Sequence, residues 1–176
     1  MSQSMRESIL RPMTPADLPA VLGIQAQCYR GTLHESGAAL ASRLALSPAT
    51  CWVAAPAGRP EALAAYLFTH MWPQDSLPPF DGLLARHWDG GELTWFVHDM
   101  AVAPAGQGQG LALRLWQAAR AAALDAGLRS SRLVAVQSAA GWWGRLGYQQ
   151  IAPAGAALSA KLAAYGDDAV LMEREV

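Results

Sequence analysis

The chain has 176 residues, of which 52% are hydrophobic and only 15% charged, with a formal net charge of −1. That length fits one ordinary α/β domain with enough buried surface to be stable without covalent staples. The near-neutral charge and the lack of basic runs argue against nucleic acid as a partner, and no apolar stretch approaches the ~20 residues of a membrane span, so no membrane partner is expected. Met1–Arg11 is polar and lacks the basic-then-apolar layout of a signal peptide, so a cytoplasmic location is expected. Cys28 and Cys51 form no CxxC or Cys/His ligand spacing; they read as buried free thiols, and no metal is expected.

In chain order, Ile9–Met13 reads as a first strand and residues 14–29 as a helix, with Thr14 or Asp17 as cap and a proline in the first turn. A second helix is expected over Ser36–Leu46, ending before Pro48. Cys51–Ala55 and Glu61–Thr69 read as a hairpin turned by Pro56–Pro60. His70–Gly91, rich in proline, glycine and aromatic residues, reads as a long folded loop acting as a lid or pocket wall. Glu92–Pro104 is a long strand leading into the glycine run AGQGQG and a helix over Gln109–Ala126, with Gly127 as its C-cap. The apolar stripe of that helix is expected at Leu111, Leu115, Ala118 and Ala122, widened by Leu113 and Trp116. A strand at Arg132–Gln137, a short helix at Ala139–Leu146, a strand from Tyr148, a helical or irregular link at Ala154–Tyr165 and a last strand at Ala169–Arg174 complete the chain. Neither an internal repeat nor a linker divides it, so residues 1–176 read as a single domain.

The strand–glycine loop–helix unit carries the chemistry. A helix N-terminus presents unpaired N–H groups and the positive end of the macrodipole, and glycines let a phosphate approach that backbone. Gln107, Gly108, Gln109, Gly110, Leu111 and Ala112 are therefore expected to hold a phosphate or pyrophosphate, unless the glycines merely make a tight turn. Two familiar phosphate loops do not fit. No lysine and hydroxyl follow the last glycine, and the third glycine of GxGxxG falls on Leu111 or Leu113.

Val102, Pro104, Gln107, Gly108, Gly110 and Ala112 match in register the pattern V-x-P-x-x-[RQ]-G-x-G-x-[AG], and the segment GWWGRLGY ends in the Gly-Tyr of a second motif. On these residues the chain resembles the GNAT-type N-acetyltransferases, and the order of elements fits over nearly its whole length. The resemblance implies a GNAT-type α/β (α+β) single domain, a central mixed twisted sheet of about six to seven strands flanked by helices. It implies acetyl-CoA as co-substrate, its pantetheine along the backbone of Met100, Ala101 and Val102 and its pyrophosphate on the N–H groups of Gln107–Ala112. It also implies an acyltransferase moving acetyl directly to a primary amine of a small molecule, acting as a monomer or homodimer.

The amine must lose a proton before it attacks, and His98 and Asp99 are the proton-taking residues on the strand entering the loop. Strand alternation puts His98 on one face with Met100 and Val102, although one extra residue in the strand would reverse this. An imidazole with an ordinary pKa of ~6.5 suits a base near neutral pH. In serotonin N-acetyltransferases of the family a histidine matches His98, and in polyamine acetyltransferases a Glu-Asp pair matches His98 and Asp99. Carried over, His98 is the candidate base, direct or through water, and Asp99 an amine ligand or orienter. The competing readings are a structural strand histidine and an aspartate that pairs with an arginine or closes a bulge.

Two departures from the family pattern stand out. The tyrosine that protonates the leaving thiolate in many members is Trp143 here, which remains a cofactor-lining position, and the asparagine before that helix is missing. Tyr165 is then a candidate acid, alongside water or a packing role. Trp72, Phe80, Trp88 and Trp95 read either as the lining of an acceptor pocket or as core. Rival readings are a catalytically impaired acetyl-CoA-binding sensor, a protein N-terminal or lysine acetyltransferase, and a nucleotide-binding α/β protein.

Overall fold

A computed structural model describes residues 7–29, 31 and 33–176; the first six residues of the Met1–Arg11 segment lie outside it. The elements are β1 (Ser8–Pro12), α1 (Leu18–Cys28), α2 (Gly37–Leu46), β2 (Trp52–Pro56), β3 (Ala65–Pro73), β4 (Leu93–Val102), α3 (Leu111–Asp125), β5 (Ser130–Ala135), α4 (Ala140–Arg145), β6 (Gln149–Gln150), α5 (Gly155–Ala163) and β7 (Val170–Glu175). The strands form one seven-stranded mixed sheet in the order β1-β2-β3-β4-β5-β7-β6, in which only β4 and β5 run parallel.

The start of α1 is fixed by charge and hydrogen bonding. Asp17 accepts from the Thr14 backbone N–H at 2.8 Å and from both terminal nitrogens of Arg11 at 2.7 and 2.8 Å. That arginine first, and Thr14 with it, hold the Asp17 carboxyl below the usual range against the opposing effect of burial. Ser36 caps α2 by accepting from the Ala39 N–H at 3.1 Å. The end of α3 is the expected glycine stop: Gly127 has φ +86°, and the Leu128 N–H reaches back to the Ala123 carbonyl.

One sheet face packs against α3, where Leu111, Leu115, Trp116, Ala119 and Ala123 meet Leu67, Trp95, Val97 and Leu133. The buried stripe thus runs through Ala119 and Ala123 rather than Ala118 and Ala122, and Leu113 is exposed, because the i, i+4 row that starts at Leu111 and Leu115 continues to those two alanines. The other face is covered by α1 and α2 over Val53, Tyr66, Phe68 and Ala101, and by α5 with the 74–92 segment over Trp72, Phe96 and Leu171. The expected strand over Arg132–Gln137 lies two residues earlier, at Ser130–Ala135, and both ends of β3 move. Glu61–Ala64 lies outside β3, and His70–Pro73, expected in the long loop, completes that strand by pairing with Leu93–Phe96. Cys51 is buried and Cys28 half-buried, both free.

Candidate active site

The site begins with an irregularity. Phe68 pairs with Asp99 and Thr69 with Val97, so His98 is an extra residue on β4, a β-bulge. The alternation reverses there. Trp95, Val97, Met100 and Val102 lie with the α3 cluster, whereas Phe96, Ala101 and Asp99 lie on the opposite face. His98 joins that opposite face, its ring 5.7 Å from His70 and 6.2 Å from Phe96. The expectation that His98 shares a face with Met100 and Val102 is therefore corrected: the bulge brings consecutive His98 and Asp99 to one side of the sheet.

Beyond the bulge the sheet opens. The parallel pairing of β4 with β5 covers only Trp95–Val97 against Ser131–Leu133, while β4 continues to Val102. The parted strands frame a cleft of about 480 Å³, lined by Val97–Val102, Gln107, Ala112, Leu133 and Trp143 among others. Between the lining residues Gln107 and Ala112, Gly108 and Gly110 have φ of +81° and +69°, with open space where a side chain would be. Gly110 caps α3, so the N–H groups of Leu111 and its successors open the helix without intrahelical partners.

On the other side of His98 a second cavity of about 30 Å³ is lined by Tyr29, Leu33, Glu35, Phe80, Asp99, Val134, Val136 and Tyr165. It has room for about one water molecule. Burial pushes the Asp99 carboxyl up, while hydroxyls of Tyr29 and Tyr66 pull it down. The Tyr66 hydroxyl donates to Asp99 at 2.8 Å; that of Tyr29 donates to the Met100 carbonyl at 2.9 Å. Burial first and the Asp99 charge second push both phenols well up, so both keep their protons. Glu35 Oε1 lies 2.7 Å from His98 Nε2, and Arg43 lies 3.2 Å from Glu35 Oε2. Burial pushes Glu35 up, but His98, Arg43 and the Asp81 N–H outweigh it and hold the carboxyl below its usual range.

Each expected residue has a definite place. His98, Asp99, Met100, Ala101, Val102, Gln107, Ala112 and Trp143 all line the cleft. The Met100 and Val102 carbonyls already accept from the Tyr29 hydroxyl and the Cys28 thiol. The Gln107 N–H donates to the Pro104 carbonyl at 3.4 Å, a contact internal to the loop. The Gln109 side chain bonds Ser8 and Ala105, and the Leu111 side chain is buried, which leaves both residues their backbone. Arg114 donates to the Ser8 carbonyl at 3.0 Å. The Tyr165 hydroxyl lies at the smaller cavity but donates to the Pro78 carbonyl at 2.7 Å, and burial, followed by the Glu35 charge, pushes it up.

The four aromatics do not form one pocket. Trp95 lies under α3, 5.9 Å from Trp116; Trp72 packs on Trp88; Phe80 alone reaches the smaller cavity, 5.4 Å from the Tyr165 ring. Sequence reasoning missed Glu35, Arg43, Tyr29 and Tyr66. A carboxylate just before the Ser36 cap was the one visible signal.

A family model described as the Acetyltransferase (GNAT) family matches residues 18–148. No curated protein matches the chain in sequence. Solved structures share the fold at low identity. Ard1 from Thermoplasma volcanium is 15% identical, with 96% of this chain and 97% of that chain covered and a TM-score of 0.69. Arabidopsis thaliana Naa50, in complex with the bisubstrate analogue CoA-Ac-MVNAL, is 8% identical over 96% and 99% of the two chains, with a TM-score of 0.66. Drosophila melanogaster polyamine N acetyltransferase is 13% identical over 97% and 100%, with a TM-score of 0.64. The family match spans β2 to β5, the opening between β4 and β5 and the glycine loop, and sets aside the nucleotide-binding reading: this chain belongs to the GNAT acetyltransferase family and is an acyltransferase.

Proposed function

We propose that the protein transfers the acetyl group of acetyl-CoA directly to a primary amine of a small molecule. The observation that carries this reading is the arrangement around the bulge. His98 borders both the large cleft and the small cavity, and Asp99 lies beside it on the same face. The cleft fits the co-substrate: the glycine loop leaves open space over Gly108 and Gly110, and the strands part where the acyl end must reach the acceptor. Bound there, acetyl-CoA supplies an acetyl group activated as a thioester, which an uncharged amine displaces with release of the thiolate.

The N–H groups of Gly108–Ala112 hold the diphosphate in this reading, and the β4 backbone at Met100–Val102 lies along the pantetheine. Asp99 holds the incoming ammonium. His98 takes its proton, directly or through one water in the small cavity. Phe80, Leu33 and Tyr165 give that one-water cavity apolar walls. Tyr165 acts as a strut for the Pro78 loop, since its proton is already committed to a carbonyl.

The test is CoA-thiol release with a panel of small primary amines and short peptides. Turnover with small amines supports the reading. Turnover confined to peptides would assign the acceptor to a protein terminus, and no turnover with any amine would favour an acetyl-CoA sensor.

A further inference from the structure

We infer that Glu35 is a positioning residue that fixes the tautomer of His98, leaving Nδ1 as the atom that accepts the amine proton. The inference deepens the acetyl-transfer reading and rests on it for the role of His98.

Glu35 Oε1 and His98 Nε2 are 2.7 Å apart, with side chains only 4% and 1% exposed. A carboxylate can only accept, so Nε2 carries the hydrogen of this contact. A neutral imidazole has one N–H, and Nδ1 is then left with its lone pair. Nδ1 is buried and meets no protein partner among the described residues. Its ring neighbours offer it no donor: Phe96 is apolar, and His70 Nδ1 donates to the Met71 carbonyl at 3.0 Å, which leaves His70 Nε2, also buried and unpartnered among the described residues, with a lone pair.

Glu35 is itself held from three directions. The Gln25 side chain donates to its carbonyl at 2.9 Å and accepts from its N–H at 3.0 Å. The Asp81 N–H donates to Oε2 at 3.2 Å, and Arg43 lies 3.2 Å from the same oxygen. Oε2 is thereby pinned and Oε1 left facing the imidazole. When Nδ1 gains the amine proton, the ring becomes a cation already paired with a carboxylate, with no side chain needing to move. A carboxylate in this place orients the ring and stabilises its charged form.

The test combines spectroscopy and kinetics on the full chain. Long-range ¹H–¹⁵N correlation of histidine-labelled protein, with His98 assigned by its loss in His98→Ala, reads the tautomer. Wild type is expected to show a pure Nε2–H pattern. Glu35→Gln keeps the volume but can present its amide to the ring. It is expected to shift that pattern and to lower kcat roughly 10- to 100-fold, with acetyl-CoA affinity unchanged as the check on folding. An Nδ1–H pattern in wild type would overturn the inference. So would wild-type kcat in Glu35→Gln when His98→Ala is impaired. If His98→Ala turns over normally, the base assignment falls instead, and the tautomer spectrum alone decides what Glu35 does.

Discussion

The Tyr66 hydroxyl meets the Asp99 carboxylate at 2.8 Å from the neighbouring strand, on the side of the sheet to which the bulge also brings His98. Asp99 is thus a half-buried carboxylate whose charge is opposed by desolvation and supported by phenols. Because its folded-state pKa is raised, its ionisation opposes folding, and stability falls as pH rises through that raised value. Asp99→Asn is expected to raise Tm near neutral pH by about 2–4 °C per kcal/mol recovered. The same change should raise KM for the amine by about tenfold or more, because a charged partner is lost. Melting curves and amine KM measured on one preparation check both. A variant that is less stable and binds amine normally would mean that Asp99 is structural.

His98→Ala should lower kcat by roughly 10²–10⁴-fold if the imidazole is the base. Affinity for acetyl-CoA should stay within about twofold, because in this reading the phosphates are held by backbone at the far end of the cleft. Steady-state kinetics with a direct binding titration separate the two effects.

Arg43 is fully buried, and it donates to the Ala39, Pro79 and Gly82 carbonyls. Arg43→Met removes the cation and strands the Glu35 charge, at a cost of about 3–5 kcal/mol. The depressed carboxyls of Glu35 and Asp17 contribute stability that is present at neutral pH and lost as pH falls through their lowered folded-state values. Without Arg43 the Glu35 depression shrinks, so the acid-unfolding midpoint should move to higher pH. Circular dichroism against pH measures it.

Tyr165→Phe removes the hydroxyl that donates to the Pro78 carbonyl. A stability loss of about 1 kcal/mol is expected, with kcat within about twofold. A large fall in kcat at unchanged stability would instead make Tyr165 the acid for the thiolate.

Much of the fold was legible because its signals are local. The glycine run between a strand and an amphipathic helix fixed the β4–loop–α3 unit, and Gly127 marked the helix end through its positive φ. The end of β3 was not legible. His70 and Pro73 look like loop residues, and only pairing with Leu93–Phe96 makes them strand. The bulge at His98 was equally hidden, since it is a mismatch between two strands and appears in neither alone. Glu35 comes from a connection 63 residues away from His98, and neither residue announces the other.

In the proposed reading the Gly108–Ala112 amides, which run from the glycine loop into the first turn of α3, hold the diphosphate of acetyl-CoA. Titrating ¹⁵N-labelled protein with acetyl-CoA and following the Gly108, Gln109 and Gly110 amides tests it most directly. Large saturable shifts are expected at all three, with affinity weakened about tenfold by Gly110→Ala, whose side chain enters the open space at a φ of +69°. Saturable binding that leaves these amides unmoved would contradict it.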